Sequence, residues 1–300
     1  MILITGGAGV MGRRLVRKFT AAGKRVRVLT LPGDAEALKL QAEGIEVVFG
    51  DVTKRDTLDG IAEGAETVFH LAAVILSPVK PELFDVVNYH GTANVLAECE
   101  RAGVRHFIYI SSASVVYDNP NPYSLSKRRA EELVKASTIK YFTVVRPTLA
   151  YESGGAEEFI HFVNYLKKFP IVPFIGNGKS LKSPVYVEDL VDGFTAIAGN
   201  EKSYGKTYNF SGGSVHTMNE MAKMILGHLG IKKPFVHLPV VLCRMLAVVA
   251  MVYAKIFNVK PLLTWQTISG VTQNADLDNT SAREDLGYNP KTFPEGLKNV

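Results

Sequence analysis

Short apolar runs alternate with segments of helical periodicity through the first half of the chain. Residues 1–5 are an apolar run ending in glycines, and 10–22 have the spacing of an amphipathic helix closed by Gly23. Valines alternating with basic residues give a second strand at 25–29. A helix near 34–43, a strand at 45–49 and a helix near 55–62 follow. Strands at 66–70 and 105–110 bracket a long helix near 82–102. A helix at 122–137 and a β-branched strand at 141–146 complete the series. Alternation of this kind predicts an α/β protein, a doubly wound parallel sheet with helices on both faces. After Pro147 the pattern changes. Ser153-Gly154-Gly155 and the Pro/Gly-rich stretch 170–178 break the alternation. Segments 186–198 and 206–210 read as a helix and a strand returning to the sheet, and 214–300 as mostly helical. The expected division is a first domain at 1–150, rejoined by 186–211, and a smaller lobe made from 151–185 and 212–300.

Composition narrows the class. Hydrophobic residues are 47% and charged residues 21% of 300, which suits a globular chain and excludes wholesale disorder. Two cysteines, Cys99 and Cys243, lie far apart and read as free thiols of a reducing compartment. The net charge is +5, with basic residues scattered and only short clusters at Arg13–Arg14, Lys127–Arg128–Arg129 and Lys232–Lys233. No aromatic-interleaved basic stripe accompanies them, so nucleic acid is not an expected partner. The chain enters a strand at once without a basic leader, and a cytoplasmic protein is expected. The seven histidines show no metal-ligand spacing and no Cys-x-x-Cys occurs, so no metal is expected. No Gly-x-Ser-x-Gly elbow supports hydrolase chemistry. Trp265 reads as a core residue.

Thr5-Gly6-Gly7-Ala8-Gly9-Val10-Met11-Gly12 follows a strand and opens a helix. Glycines there let backbone N–H groups approach a pyrophosphate, and the helix N-terminus adds positive potential. The expected fold is therefore Rossmann-type, with Gly6, Gly9, Val10, Met11 and Gly12 on a dinucleotide. Gly50-Asp51-Val52 ends the third strand, where Asp51 either accepts from an adenine amino group or caps the turn at Thr53. Leu71, Ala72 and Ala73 end the fourth strand and let the dinucleotide lie close to backbone. The second strand ends at Thr30, placed on the ribose side, with no carboxylate until Asp34 and with Arg13 within reach of a 2′-phosphate. NAD and NADP both stay open.

Tyr123-Ser-Leu-Ser-Lys127 sets a phenol and an ammonium on one helical face. A nearby ammonium is expected to lower the phenol pKa towards working pH, suiting proton exchange with a substrate oxygen during hydride transfer. The preceding strand ends Tyr109-Ile110-Ser111-Ser112-Ala113-Ser114. In this order the pieces resemble an extended short-chain dehydrogenase/reductase of the epimerase/dehydratase superfamily over nearly the whole chain. Further matching pieces are His70-Leu-Ala-Ala73, Asn88-x-x-Gly91-Thr92, Arg146-Pro147-Thr148 and Val185-Tyr-Val-Glu-Asp189. The resemblance implies Tyr123 as acid/base and Lys127 on the nicotinamide ribose, also tuning the tyrosine. It implies a serine, Ser112 with Ser114 second, polarising the substrate carbonyl, and Asn88, Pro147 and Thr148 beside the cofactor.

Within that group the chain resembles the 3β-hydroxysteroid dehydrogenase branch. The pieces are Phe107-Ile-Tyr-Ile-Ser-Ser-Ala-Ser114, the apolar C-terminal stretch with Leu262-Leu263-Thr264, and Ala282-Arg-Glu-Asp-Leu-Gly-Tyr288. Two features depart from the group. Ten residues separate Ser112 from Tyr123, shorter than extended members usually carry, which implies a more open site. The hydroxyl of the sugar-epimerase pattern would fall at Ala113, whereas the steroid and flavonol reductase pattern places it at Ser112.

Leu238 to Phe257 is apolar apart from Arg244 and Lys255. Only ten residues separate those charges, too few to span a bilayer. A buried helix, a membrane-surface helix and a helix lining a greasy pocket are the readings considered, so 238–257 is a candidate peripheral membrane contact. The expected activity is oxidation of a secondary alcohol, or ketone reduction, on a sterol-like or long-chain substrate. The rivals are a nucleotide-sugar epimerase or dehydratase, with Lys179, Lys182 and Arg244 for the diphosphate, and a non-catalytic dinucleotide-binding redox sensor. A homodimer is compatible with all three.

Overall fold

The computed structural model describes residues 1–300 other than 77–79, 153–155, 258, 260 and 262, and the side chain of Lys255. The glycines expected to break the chain at Ser153-Gly154-Gly155, and Leu262 of the family-like segment, therefore lie outside the described residues. Strand β1 (Ile2–Thr5) leads into helix α1 (Val10–Ala21), followed by β2 (Val26–Thr30), α2 (Ala35–Ala42), β3 (Glu46–Phe49) and β4 (Thr67–His70). Then come α3 (Gly91–Arg101), β5 (His106–Ile110), α4 (Pro122–Ala136) and β6 (Tyr141–Pro147). Each helix start has a local cause: Asp34 and Asn121 accept N–H bonds at the starts of α2 and α4, and Pro122 supplies a preset φ at the first position of α4.

Two expectations in this half needed correction. The helix expected near 55–62 is a single 3₁₀ turn at Arg55–Leu58, because Gly60 (φ 77°) and Gly64 (φ 73°) take the left-handed conformation. The helix expected at 82–102 begins as a π-helical turn, Phe84–His90, which runs straight into α3.

Beyond β6 lie β7 (Ala150–Tyr151), α5 (Glu157–Lys168), β8 (Val172–Ile175), β9 (Leu181–Lys182), β10 (Val185–Tyr186) and α6 (Val187–Ile197). The chain continues through β11 (Lys206–Phe210), β12 (His216–Thr217), α7 (Met218–His228), β13 (Phe235–Leu238) and α8 (Val240–Phe257). It ends with α9 (Trp265–Thr272), α10 (Thr280–Leu286) and α11 (Phe293–Leu297).

Seven strands form one parallel sheet in the order β11-β6-β5-β4-β1-β2-β3. One core cluster lies against each face, Leu15, Phe19 and Phe194 on one and Leu58, Val95 and Val134 on the other. The strand order reverses between β1 and β4, so the loops after these two strands diverge and leave a crevice at their carboxyl ends. Three two-stranded ribbons, β7/β10, β8/β13 and β9/β12, knit the rest of the chain together. A third apolar cluster, with Tyr151, Phe174, Met221 and Phe293, packs α5, α7 and α11 there. Trp265, expected in the core, is 43% exposed at the first position of α9.

Candidate active site at the carboxyl edge of the sheet

The glycine loop sits at the reversal point. Gly6 has φ 68°, and a Cβ there would stand 2.8 Å from the Ala72 nitrogen, so the loops after β1 and β4 touch backbone to backbone. A Cβ on Gly12 would collide with the Gly6 carbonyl. Gly9 is different: its φ is an ordinary −67°, and a Cβ would meet only the Gly6 oxygen at 3.2 Å. The packing demand for glycine is weaker at 9 than at 6 and 12. The space above it is open, and α1 starts there with no side-chain cap and no acidic residue in its first turn, with Val10 and Met11 as its first residues. Uncapped N–H groups beside an open cradle fit a pyrophosphate.

A polar scaffold fixes the two loops. Thr5 Oγ1 lies 2.7 Å from His70 Nδ1 and accepts from the Ala72 N–H at 3.2 Å, while His70 Nε2 meets Thr92 Oγ1 at 3.0 Å. Burial first, then the Lys127 charge, drives His70 down to about 3, so it stays neutral. Asn88 accepts from Val74 N at 2.8 Å and donates to Val74 O at 3.0 Å and Ser126 Oγ at 3.1 Å. Its amide thus clamps the loop after β4, to which Leu71, Ala72 and Ala73 belong, onto α4.

The other residues expected at the cofactor occupy the same edge of the sheet. Thr30 ends β2 and donates to Asp34 Oδ2 at 3.2 Å. Asp51 takes the capping role, Oδ1 accepting from Thr53 N (2.9 Å) and Thr53 Oγ1 (2.8 Å). Val52 packs where a Cβ on Gly91 would be, 2.8 Å away. Pro147 ends β6, and the Thr148 hydroxyl is held by the Ser183 carbonyl.

Helix α4 brings Tyr123 and Lys127 to the crevice on one buried face. Lys127 Nζ donates to Ile110 O at 2.6 Å and lies 4.4 Å from the centre of the Tyr109 ring. Desolvation pulls this ammonium down to about 7, against the Glu131 charge that raises it. The expected lowering of the Tyr123 phenol is not what this arrangement gives. Burial raises Tyr123 above its ordinary value, the Glu158 charge adds to this, and only the Ser112 hydroxyl, facing the phenol, opposes them.

The three serines also separate. Ser111 donates to Glu131 Oε1 at 2.6 Å, a carboxylate gripped by Arg146 at 2.6 and 2.9 Å, and is held away from the site. Ser112 faces Tyr123 and lies 3.0 Å from Ser114, hydroxyl to hydroxyl.

Residues 2–211 match the model of the "NAD dependent epimerase/dehydratase family". The chain belongs to that family. It is an enzyme of the extended short-chain dehydrogenase/reductase type, and a nicotinamide dinucleotide is its cofactor. Among curated relatives, short-chain dehydrogenase/reductase family 42E member 1 of Bos taurus is 26% identical over 97% of this chain and 84% of its own length. An N-acetyl-alpha-D-glucosaminyl-diphospho-ditrans,octacis-undecaprenol 4-epimerase of Escherichia coli O157:H7 is 28% identical over 99% and 92%. A 4-hydroxy-2-methyl-3-oxo-4-farnesyl-3,4-dihydroquinoline-1-oxide ketoreductase of Stigmatella aurantiaca is 26% identical over 98% and 93%. The solved dTDP-glucose 4,6-dehydratase of Streptomyces venezuelae has the same fold, with TM-score 0.77 at 22% identity, covering 100% of this chain and 95% of that one.

Sequence reading of this family member missed three groups. Glu131 sits one helical turn after Lys127, and no motif singles it out. Glu158 lies on α5, a helix not expected at all, and its charge acts on the Tyr123 phenol. Helix α9 is the third: Asn119 N donates to Gln273 Oε1 at 2.9 Å and Gln266 Nε2 to Ile75 O at 2.8 Å. The short Ser112–Tyr123 connection is therefore clasped by α9 rather than left open. Of the cations considered for a diphosphate, Lys182 is buried with Nζ on the Gln273 carbonyl, Arg244 lies on the exposed side of α8, and Lys179 is exposed.

Proposed function

We propose that this enzyme interconverts a secondary alcohol and a ketone on a lipophilic, sterol-like or long-chain substrate. The observation that carries the reading is the buried Tyr123–Lys127 face of α4 with Ser112 beside the phenol. Bound NADH would supply the hydride and NAD+ would take it up. The loop at Gly6–Gly12 and the start of α1 would hold the cofactor's pyrophosphate, and Lys127, which donates to Ile110 O, would hold the nicotinamide ribose. Ser112 orients the substrate oxygen, and Tyr123 passes the proton at Oη. The phenol, raised above its ordinary value by burial, holds its proton at neutral pH, the form that proton donation to a ketone requires.

NAD is the preferred form. Asp34 stands at the tip of β2, and Arg13 is paired with Glu36 at 2.8 Å, so a 2′-phosphate would meet two carboxylates there and an arginine already engaged by one of them. The lipophilic substrate is supported by the withdrawal of Lys182 and by two relatives whose names contain undecaprenol and farnesyl, both isoprenoid chains. The nucleotide-sugar reading keeps the support of the family description and of exposed Lys179.

The test begins with NADH and NADPH fluorescence titrations of the protein and of Gly9→Val, which should lose at least tenfold in affinity yet stay folded. NADH consumption is then followed with isoprenoid-substituted ketones, 3-ketosterols and UDP- or dTDP-sugars. Turnover of the sugars alone would overturn the lipophilic assignment.

A further inference from the structure

Helix α8 is inside out. Its protein-facing side is made of small residues, Cys243, Ala247 and Ala254, each no more than 2% exposed. Ten large apolar side chains between Val241 and Phe257 instead point outward, 40–69% exposed, among them Met245, Val249, Val252 and Ile256. At roughly 60 Å² each they reach the upper end of the range of about 300–600 Å² that the largest apolar patch of a soluble monomer covers, where such patches are often functional. The helix does not stand off the body: Cys243 and Ala247 pack with Ile268 of α9 and with Ile175 and Leu238 of the β8/β13 ribbon. That ribbon adds Ile171 and Val236, each 48% exposed, beside the same surface.

The net charge of the chain falls in the stretch of sequence that carries this helix. From 221 to 275 there is no Asp or Glu, whereas Lys223, Lys232, Lys233, Arg244, Lys255 and Lys260 all fall there. The rest of the chain holds 28 basic and 29 acidic residues, so the net +5 arises entirely from this stretch. Lys233 donates to the carbonyls of Leu166 and Lys167 (3.1 and 2.7 Å), which brings exposed Lys167 and Lys168 of α5 to the same end of the ribbon.

We infer that α8 and the β8/β13 ribbon dock the enzyme on an anionic lipid bilayer, α8 lying in the plane of the interface. A helix with large apolar residues outward, no acidic group and cations on its flanks has the makeup of an interfacial helix, and each basic residue near an anionic surface adds to the attraction. A second copy of the chain fits less well. Joining two such faces would set the cations of 221–275 together with no Asp or Glu in that stretch to pair them. Among the described residues no helix is long and apolar enough to cross a membrane, and α8 is fastened along the body. The placement also serves the site. α8 packs on α9, and α9 clasps both Asn119, ahead of Tyr123, and Ile75, after β4. A docked enzyme thus holds its catalytic crevice one helix away from the lipid.

The test is flotation of the full chain, with NAD present, on vesicles of phosphatidylcholine alone or mixed with phosphatidylglycerol. Binding should be at least tenfold stronger with phosphatidylglycerol and weaken with salt. Val248→Ser/Val249→Ser/Val252→Ser should reduce it at least tenfold with NADH affinity and melting temperature held. Lys223→Glu/Lys232→Glu/Arg244→Glu should erase the preference for phosphatidylglycerol. No flotation, or flotation indifferent to the valine changes, overturns the inference. So does a dimer in sedimentation equilibrium that the valine changes dissociate. None of these readouts uses turnover, so they stand apart from the substrate assignment.

Discussion

Helices α4 and α8 are of similar length and invert each other. α4 buries a lysine, a glutamate, a tyrosine and two serines, while α8 exposes ten large apolar side chains and buries alanine and cysteine. Buried polar groups are tolerated when each finds a partner, and on α4 the partners are named: Ile110 O for Lys127, Arg146 and Ser111 for Glu131, Asn88 for Ser126. The chain satisfies α4 from within. Among the described residues nothing covers the outer side of α8, so its demand is directed outward. A helix that breaks the inside-outside rule with internal partners is a site of chemistry, and one that breaks it without them is a surface for something else.

The comparison can be broken at several points. Glu131→Gln should cost about 3 kcal/mol in urea unfolding, because it leaves Arg146 and Ser111 facing a group that no longer carries charge. An unchanged midpoint would mean that the buried side of α4 is not held by this carboxylate.

Acid should act on the sheet from two sites. His70 and His106 are pulled by burial to about 3 and about 4. Both stay neutral in the folded chain while the unfolded chain protonates them below about 6.5, so stability falls with pH from there down towards 4. Between pH 7 and 5 each should remove about 2 kcal/mol, measured as a shift of the urea midpoint. His70→Asn should flatten about half of that loss.

Tyr123→Phe should lower turnover about 10²-fold or more while NADH affinity barely moves, and Lys127→Met should damage both. Near-normal turnover of Tyr123→Phe would remove the phenol from the chemistry. The smallest effect is expected on α8. Val249→Ser, at a position 66% exposed, should change the stability of the chain in free solution by no more than about 0.5 kcal/mol. A large loss there would show that α8 is covered by the protein itself.

Much of the first half was legible. The run into Thr5, the glycines and the amphipathic 10–22 are local signals, and β1, its loop and α1 follow them within a residue or two. Tyr123 and Lys127 share a face because helical spacing requires it. The helix expected at 55–62 failed where glycines at 60 and 64 outweighed a periodic pattern. α5 escaped notice because it follows glycine-rich sequence, although Glu157 and Glu158 in its first turn are a helix-start signal. Trp265 was assigned to the core on residue type alone, which says nothing about which side of a helix is covered.

The sequence by itself determined the order of the sheet strands through β6, the place of the cofactor loop, and the pairing of phenol and ammonium on one helix. These depend on residues within a few turns of one another, where backbone geometry fixes what meets. Only the tertiary structure decided that Ser111 answers to Glu131 while Ser112 faces Tyr123, that Lys127 lies dry beside Ile110 and Tyr109, and that Lys182 is buried. It alone turned the large residues of α8 outward. Burial and charge–charge distance are set by segments remote in sequence, and no local pattern encodes which of two faces the rest of the chain will cover.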